Sequence, residues 1–167
     1  GIMYTGGPYP LGYNGLGDLF VFAYFGLVAT MTTYYLNTLE WSSTSFWAAL
    51  IPGALSTNIL VVNNLRDVAQ DRVSGKKTLG VLLGEKALKW EYTVLLALAF
   101  AIPPHFFVRL DASIWIFLPY LSVPLSLKLL SEIWSHEKKS TLNGTLEKTA
   151  ALMFIYGVLF TIGLVIP

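Results

Sequence analysis

Cysteine is absent from this 167-residue chain, which excludes disulfides and thiolate metal sites and leaves the redox compartment open. Charge is nearly as scarce. Asp, Glu, Lys and Arg make up 13% of the sequence, against about 25% in soluble domains. What charge there is clusters in two segments separated by apolar stretches, which excludes an ordinary soluble domain. The net charge of +1 carries no signature of nucleic-acid binding. No basic n-region precedes the first apolar run, so a cleavable signal peptide is not expected there. Internal repeats, low-complexity tracts and long linkers are missing too. The chain opens Gly1-Ile2-Met3, for which a truncated or processed N-terminus is expected.

Apolar residues are abundant, at 54%, with 14% aromatic. A membrane-spanning helix needs about 20 mostly apolar residues. Five candidates are expected, at residues 19–39, 46–63, 92–108, 114–130 and 149–166. Prolines interrupt several of them (Pro52, Pro103, Pro104, Pro119, Pro124), which a helical bundle tolerates where neighbours satisfy the freed backbone groups. The fold class is therefore all-α, a polytopic transmembrane helical bundle forming one membrane domain. The segment 131–146 is polar and partly helical on this reading.

Ten of the 11 basic residues fall between spans two and three or from the last turn of span four to the start of span five; Arg109 alone lies on the other side. Lys and Arg mark the cytoplasmic side of a membrane protein. The segment after span two is thus cytoplasmic, as is the N-terminal segment, and the C-terminus lies outside.

The most pointed local signal is Asn63-Asn64-Leu65-Arg66-Asp67-Val68-Ala69-Gln70-Asp71-Arg72, followed by Gly75-Lys76-Lys77-Thr78-Leu79. Four residues advance a helix by about 400°, so Asp67 and Asp71 share one face. Like charges at that spacing destabilise a helix unless a cation lies between them. Mg²⁺ is commonly held by one or two carboxylates plus substrate phosphates. Arg66 suits bidentate phosphate contact, and Arg72, Lys76 and Lys77 add positive charge for a diphosphate. Asn63 and Asn64 sit at the end of an apolar span, where polar side chains are costly; they can serve metal or phosphate. The plainer alternative is a solvated helix end whose arginines tie it to lipid headgroups.

The segment Tyr4-Thr5-Gly6-Gly7-Pro8-Tyr9-Pro10-Leu11-Gly12-Tyr13 reads either as an interfacial turn with aromatic anchors or as a loop lining the polar end of the cavity. Asp18 opens the first span, where a carboxylate complements the helix dipole; a helix cap is expected. Thr30, Thr32 and Thr33 suit interhelical packing. His105 falls far from the basic side and is not expected to be catalytic. Asn143-Gly144-Thr145 matches a glycosylation sequon but lies on the cytoplasmic side; Asn143, with Leu142 and Glu147, could instead face the site.

The run from Asn63 to Leu79 resembles the second aspartate-rich motif of the UbiA superfamily of intramembrane aromatic prenyltransferases. It looks most like the menaquinone branch, the 1,4-dihydroxy-2-naphthoate polyprenyltransferases. Tyr4-Thr5-Gly6-Gly7-Pro8, Gly15-Leu16-Gly17-Asp18 and the pattern Leu142-Asn143-x-x-Leu146-x-x-Thr149-Ala150 are similar to that branch as well, so the likeness covers nearly the whole chain. In that superfamily about nine helices cross the bilayer, each of about 20 residues, and a first aspartate motif lies in the N-terminal half. No such motif occurs here, so residues 1–167 resemble the C-terminal part of one such domain, with the N-terminal helices missing.

The resemblance implies transfer of a polyprenyl chain from its diphosphate to 1,4-dihydroxy-2-naphthoate with decarboxylation, giving demethylmenaquinone, in the inner (plasma) membrane. It implies Mg²⁺ held by Asp67 and Asp71 as catalytic metal ligands, with Asn63, Asn64, Arg66, Arg72, Lys76 and Lys77 binding diphosphate. Transfer to 4-hydroxybenzoate or homogentisate, transfer of a phytyl group, or the role of a non-catalytic membrane subunit gripping anionic lipid are the alternatives.

Overall fold

The computed structural model describes residues 11–136 and 139–167; the Tyr4–Pro10 stretch singled out above lies outside the described residues. Five helices are long and apolar enough to cross a membrane, as expected from the sequence. They are α1 (Gly17–Thr38), α2 (Ser43–Val73), α4 (Glu85–Arg109), α5 (Ile114–Ser135) and α6, whose regular part is Leu142–Val165. A short helix, α3 (Leu79–Leu83), joins α2 to α4. Among the described residues there is no strand. The chain is an integral membrane protein of all-α, polytopic architecture.

Helix α2 is central and packs on α1, α4 and α6. Its start is fixed by Ser42, whose hydroxyl accepts from the Thr44 amide at 3.1 Å. The core joins Leu55, Val61 and Leu65 of α2 to Leu88 and Tyr92 of α4, Ile116 and Leu129 of α5, and Leu152 of α6. Polar groups inside it turn onto backbone carbonyls. Thr57 donates to Gly53 O at 2.8 Å, Asn58 to Tyr92 O at 3.3 Å and Tyr156 to Ala99 O at 2.7 Å. Apolar surroundings leave a polar side chain no other way to avoid an unpaired donor.

Helix α1 lies at the edge and contributes no buried apolar side chain to this core. It touches α2 where glycines meet. A Cβ on Gly26 would come within 2.7 Å of both Ala49 O and the Gly53 Cα, so only hydrogen fits at that crossing. Small residues allow such approach between membrane helices. Around Gly26 the winding of α1 loosens to a π-type turn over Phe22–Val28.

The expected spans hold, but their ends do not. Span two was expected to end at Asn63; α2 instead runs unbroken to Val73 and carries Asp67 and Asp71 within it. Hydropathy marks only the part that crosses lipid, whereas the helix continues as long as its polar residues find partners. For the same reason α4 begins at Glu85, ahead of the expected Tyr92, and α6 at Leu142, ahead of Thr149. Pro52, Pro103 and Pro104 are carried inside helices, and Pro119 sits in the 3₁₀-wound opening of α5, Ile114–Ser122.

Candidate metal–diphosphate site

The end of α2 is built by a glycine. Gly75 has φ of +75°, the left-handed geometry that stops a helix. The Lys76 amide bonds Asp71 O at 3.0 Å and the Gly75 amide bonds Arg72 O at 3.3 Å, the paired bonds of a Schellman stop. This turn brings the chain back along α2. Lys76 Nζ then lies 3.0 Å from Asp71 Oδ1, and the Thr78 hydroxyl donates to Asp71 Oδ2 at 3.5 Å. The bond to Asp71 raises the Lys76 ammonium above its usual pKa, so it stays charged. Residues ahead of α1 complete this corner: Tyr13 O accepts from the Lys77 amide at 2.8 Å, and Lys76 Nζ sits 5.1 Å above the Tyr13 ring.

One turn back, Arg66 grips Asp67 with two bonds of 2.7 Å, from Nε and Nη2 to the two carboxylate oxygens. Its Nη2 also donates to Asn63 Oδ1 at 2.7 Å, and Nη1 to Asn143 Oδ1 of α6 at 3.0 Å. Planar guanidinium geometry makes such multiple docking possible. Arg66 is thereby a strut that fixes Asp67 and ties the end of α2 to the start of α6. Lys139 adds a second tie, donating to Leu65 O at 3.0 Å and pairing with Glu85 at 2.7 Å.

Asn64 faces differently. It is buried, as is Asp18, and its amide nitrogen donates to the two Asp18 oxygens at 3.3 and 3.4 Å. Asp18 stands in the first turn of α1, where its carboxylate meets its own backbone amide as the sequence led one to expect, and it also reaches across to α2.

All eight site residues expected from the sequence thus lie at this one end of the bundle. Asp67, Asp71, Asn63, Asn64, Arg66 and Lys76 form bonded clusters around the last turns of α2. Arg72 and Lys77 are exposed beside them and make no ion pair among the described residues. Asn143, left open by the sequence, does reach the site, through Arg66; Leu142 is buried and Glu147 exposed. Thr78 and the Asp18–Asn64 pair went unassigned in the sequence. Thr78 stands inside the motif, but no spacing rule links Asp18 to a residue 46 positions away. His105 stacks on Trp47, ring centroids 4.1 Å apart, at the other end of α4. Thr32 and Thr33 are exposed, so the packing role foreseen for them is not met among the described residues.

The donor set fits a hard divalent cation. It offers the carboxylates of Asp67 and Asp71 and the amide oxygen of Asn64, with no nitrogen or sulfur ligand among them. No group of three or more His, Cys, Asp or Glu that could hold a metal occurs among the described residues. A divalent cation held here would draw two carboxylates from the chain, with phosphate oxygens as the natural complement.

Comparison with known proteins bears on the same residues. The UbiA prenyltransferase family matches residues 1–158. The chain belongs to this family. A 1,4-dihydroxy-2-naphthoate octaprenyltransferase of Haemophilus influenzae is 35% identical over 165 residues, covering 99% of this chain and 54% of the relative. The Mycobacterium tuberculosis protein of the same name is 35% identical over 156 residues, covering 93% of this chain and 52% of the relative. A UbiA prenyltransferase domain-containing protein 1 of Dictyostelium discoideum is 33% identical, covering 99% of this chain and 48% of its own length. This UbiA-family chain therefore spans about half the length of the curated relatives it matches. No solved structure is a significant match.

Proposed function

We propose that this chain forms the C-terminal part of a prenyltransferase that moves a polyprenyl group from its diphosphate to 1,4-dihydroxy-2-naphthoate. The observation that carries this reading is the pair Asp67 and Asp71, one helical turn apart at the polar end of a membrane-length helix. Cations flank both, and relatives bearing that enzymatic name align along nearly the entire chain. Helices equivalent to the N-terminal half of the relatives would supply the opposing wall.

Mg²⁺, bound by Asp67 and Asp71, would neutralise charge growing on the departing diphosphate. The chain's own residues prepare that site. Arg66 holds Asp67 in one orientation, while Lys76 and Thr78 hold Asp71, so little reorganisation accompanies the reaction. Arg72 and Lys77, exposed at the rim, attract and retain the diphosphate. The allylic C–O bond breaks with both electrons leaving on diphosphate. A ring carbon of the naphthoate then forms the new C–C bond, and the carboxylate departs as carbon dioxide, leaving its electron pair in the ring, so that no net proton is released. No oxidant takes part, so demethylmenaquinone leaves in its quinol form.

An apolar groove of about 560 Å³ between α2 and α6, lined by Ile59, Met153, Phe154 and Val158, suits the isoprenoid. Ile59 stands four residues before Asn63, hence one turn from the site. The distribution of Lys and Arg supports a cytoplasmic location for the polar end, and the membrane is on this reading the inner (plasma) membrane.

The test uses the complete gene product in lipid nanodiscs with labelled polyprenyl diphosphate. Dihydroxynaphthoate, 4-hydroxybenzoate and homogentisate are offered separately. Transfer to dihydroxynaphthoate, abolished by Asp67→Ala or Asp71→Ala, is the expected result. Unimpaired transfer in both variants sinks the catalytic reading, and transfer only to another acceptor replaces the substrate.

A further inference from the structure

Asp18 is a buried carboxylate without a cation. It is 4% exposed, and none of the ion pairs among the described residues includes it. Its side-chain partner is the Asn64 amide, its backbone partner is its own amide, and a second carboxylate, Glu91 of α4, feels its charge. A carboxylate in such a place is costly, and a helix N-terminus repays only part of that cost. The Asn64 side chain is where the arrangement has a consequence. A carboxylate can only accept hydrogen bonds, so the Asn64 nitrogen must face Asp18 and its oxygen must face away.

Among the described residues no donor reaches the Asn64 oxygen, and the one sealed side-chain polar atom without a partner there is Asn58 Oδ1. With respect to those residues the Asn64 oxygen faces the open space beside α2. Position 64 lies two turns before Asp71, about 20° from it around the helix axis. The open oxygen therefore shares a stripe with the carboxylates of the candidate metal site.

We propose that Asp18 is a positioning residue: it locks the amide of Asn64 so that the Asn64 oxygen is presented as a third hard-oxygen donor beside Asp67 and Asp71. This rests on the reading of that face as a metal–diphosphate site. It gives α1, which adds no buried apolar side chain to the core, a role in the chemistry of α2.

The test measures Mn²⁺ binding by electron paramagnetic resonance, with inorganic pyrophosphate present, on the complete gene product in nanodiscs. Loss of partners that orient a metal ligand typically weakens affinity about 10- to 100-fold. D18N and N64A should each weaken Mn²⁺ binding by about tenfold, and D18N/N64A no more than either alone, because both remove one donor. The exchange D18N/N64D keeps the pair with donor and acceptor reversed and should recover most of the loss, which separates orientation from simple misfolding. Wild-type Mn²⁺ affinity in D18N, with D71A weakened, overturns the positioning role alone. Wild-type affinity in D71A overturns the metal site itself. Failure of D18N/N64D to improve on a folded D18N also overturns the proposal.

Discussion

Helix α2 holds two regions built on opposite principles. Over residues 43–62 its polar groups are few and turn onto carbonyls, as with Thr57 to Gly53 and Asn58 to Tyr92. Over residues 63–73 charged and amide side chains bond mainly to one another or to the returning chain, as with Arg66 to Asp67 and Lys76 to Asp71. The first region is held by close packing, where volume decides. The second is held by paired charge at the membrane boundary, where orientation decides. The lesson is a division of labour along one rigid rod. Packing in the bilayer fixes where the polar end stands, and the polar end can then be organised for binding rather than for stability.

That contrast can be broken or sharpened by substitution. The largest effect is expected at Asp71. Asp71→Ala should cut kcat/KM for prenyl transfer by about 10²–10³-fold, the usual cost of losing one group that stabilises developing charge. Its thermal unfolding in detergent should stay close to wild type; a large fall in Tm would erase the distinction between the regions. Next is Gly26→Val, which forces α1 off the Gly53 surface and should destabilise the fold by about 1–3 kcal/mol. Denaturant titration measures this, and the Mg²⁺ dependence of the folded fraction should not move.

Tyr156→Phe comes third. It removes the bond to Ala99 O and should cost about 0.5–1.5 kcal/mol in the same titration while leaving KM for the diphosphate unchanged. A raised KM would show that the packed region reaches further into the chemistry than this contrast allows. The smallest effect belongs to Arg72→Ala, an exposed charge at the rim. It should raise KM for the prenyl diphosphate by only about two- to fivefold, and the difference should shrink as salt is added, because exposed charges are screened. An effect that survives high salt would mean that Arg72 makes a direct, desolvated contact.

Much of this was legible in the residues. Long apolar runs can only be helices in lipid, so five spans followed from hydropathy alone. The cluster of acids, amides and bases at the end of α2 was legible because its members are close in sequence and the period of a helix puts Asp67 and Asp71 on one face. Less legible was how far each helix ran. Asn63 looked like an end because polarity begins there, yet the pairs formed by Arg66 and Asp67 let α2 continue to Val73.

The sequence by itself determined the membrane-embedded helical class and the local set of acid, amide and base at the end of α2. Both are short-range properties, one of solvent preference and one of helical period. Tertiary structure alone decided which cations are committed. Arg66 is absorbed by Asp67, Asn63 and Asn143, Lys76 by Asp71, and Arg72 and Lys77 remain at the rim. It also decided that Asp18 turns to Asn64 across 46 positions of sequence. Those outcomes depend on which helices lie side by side, and packing settles that at distances in sequence where no periodic pattern reaches.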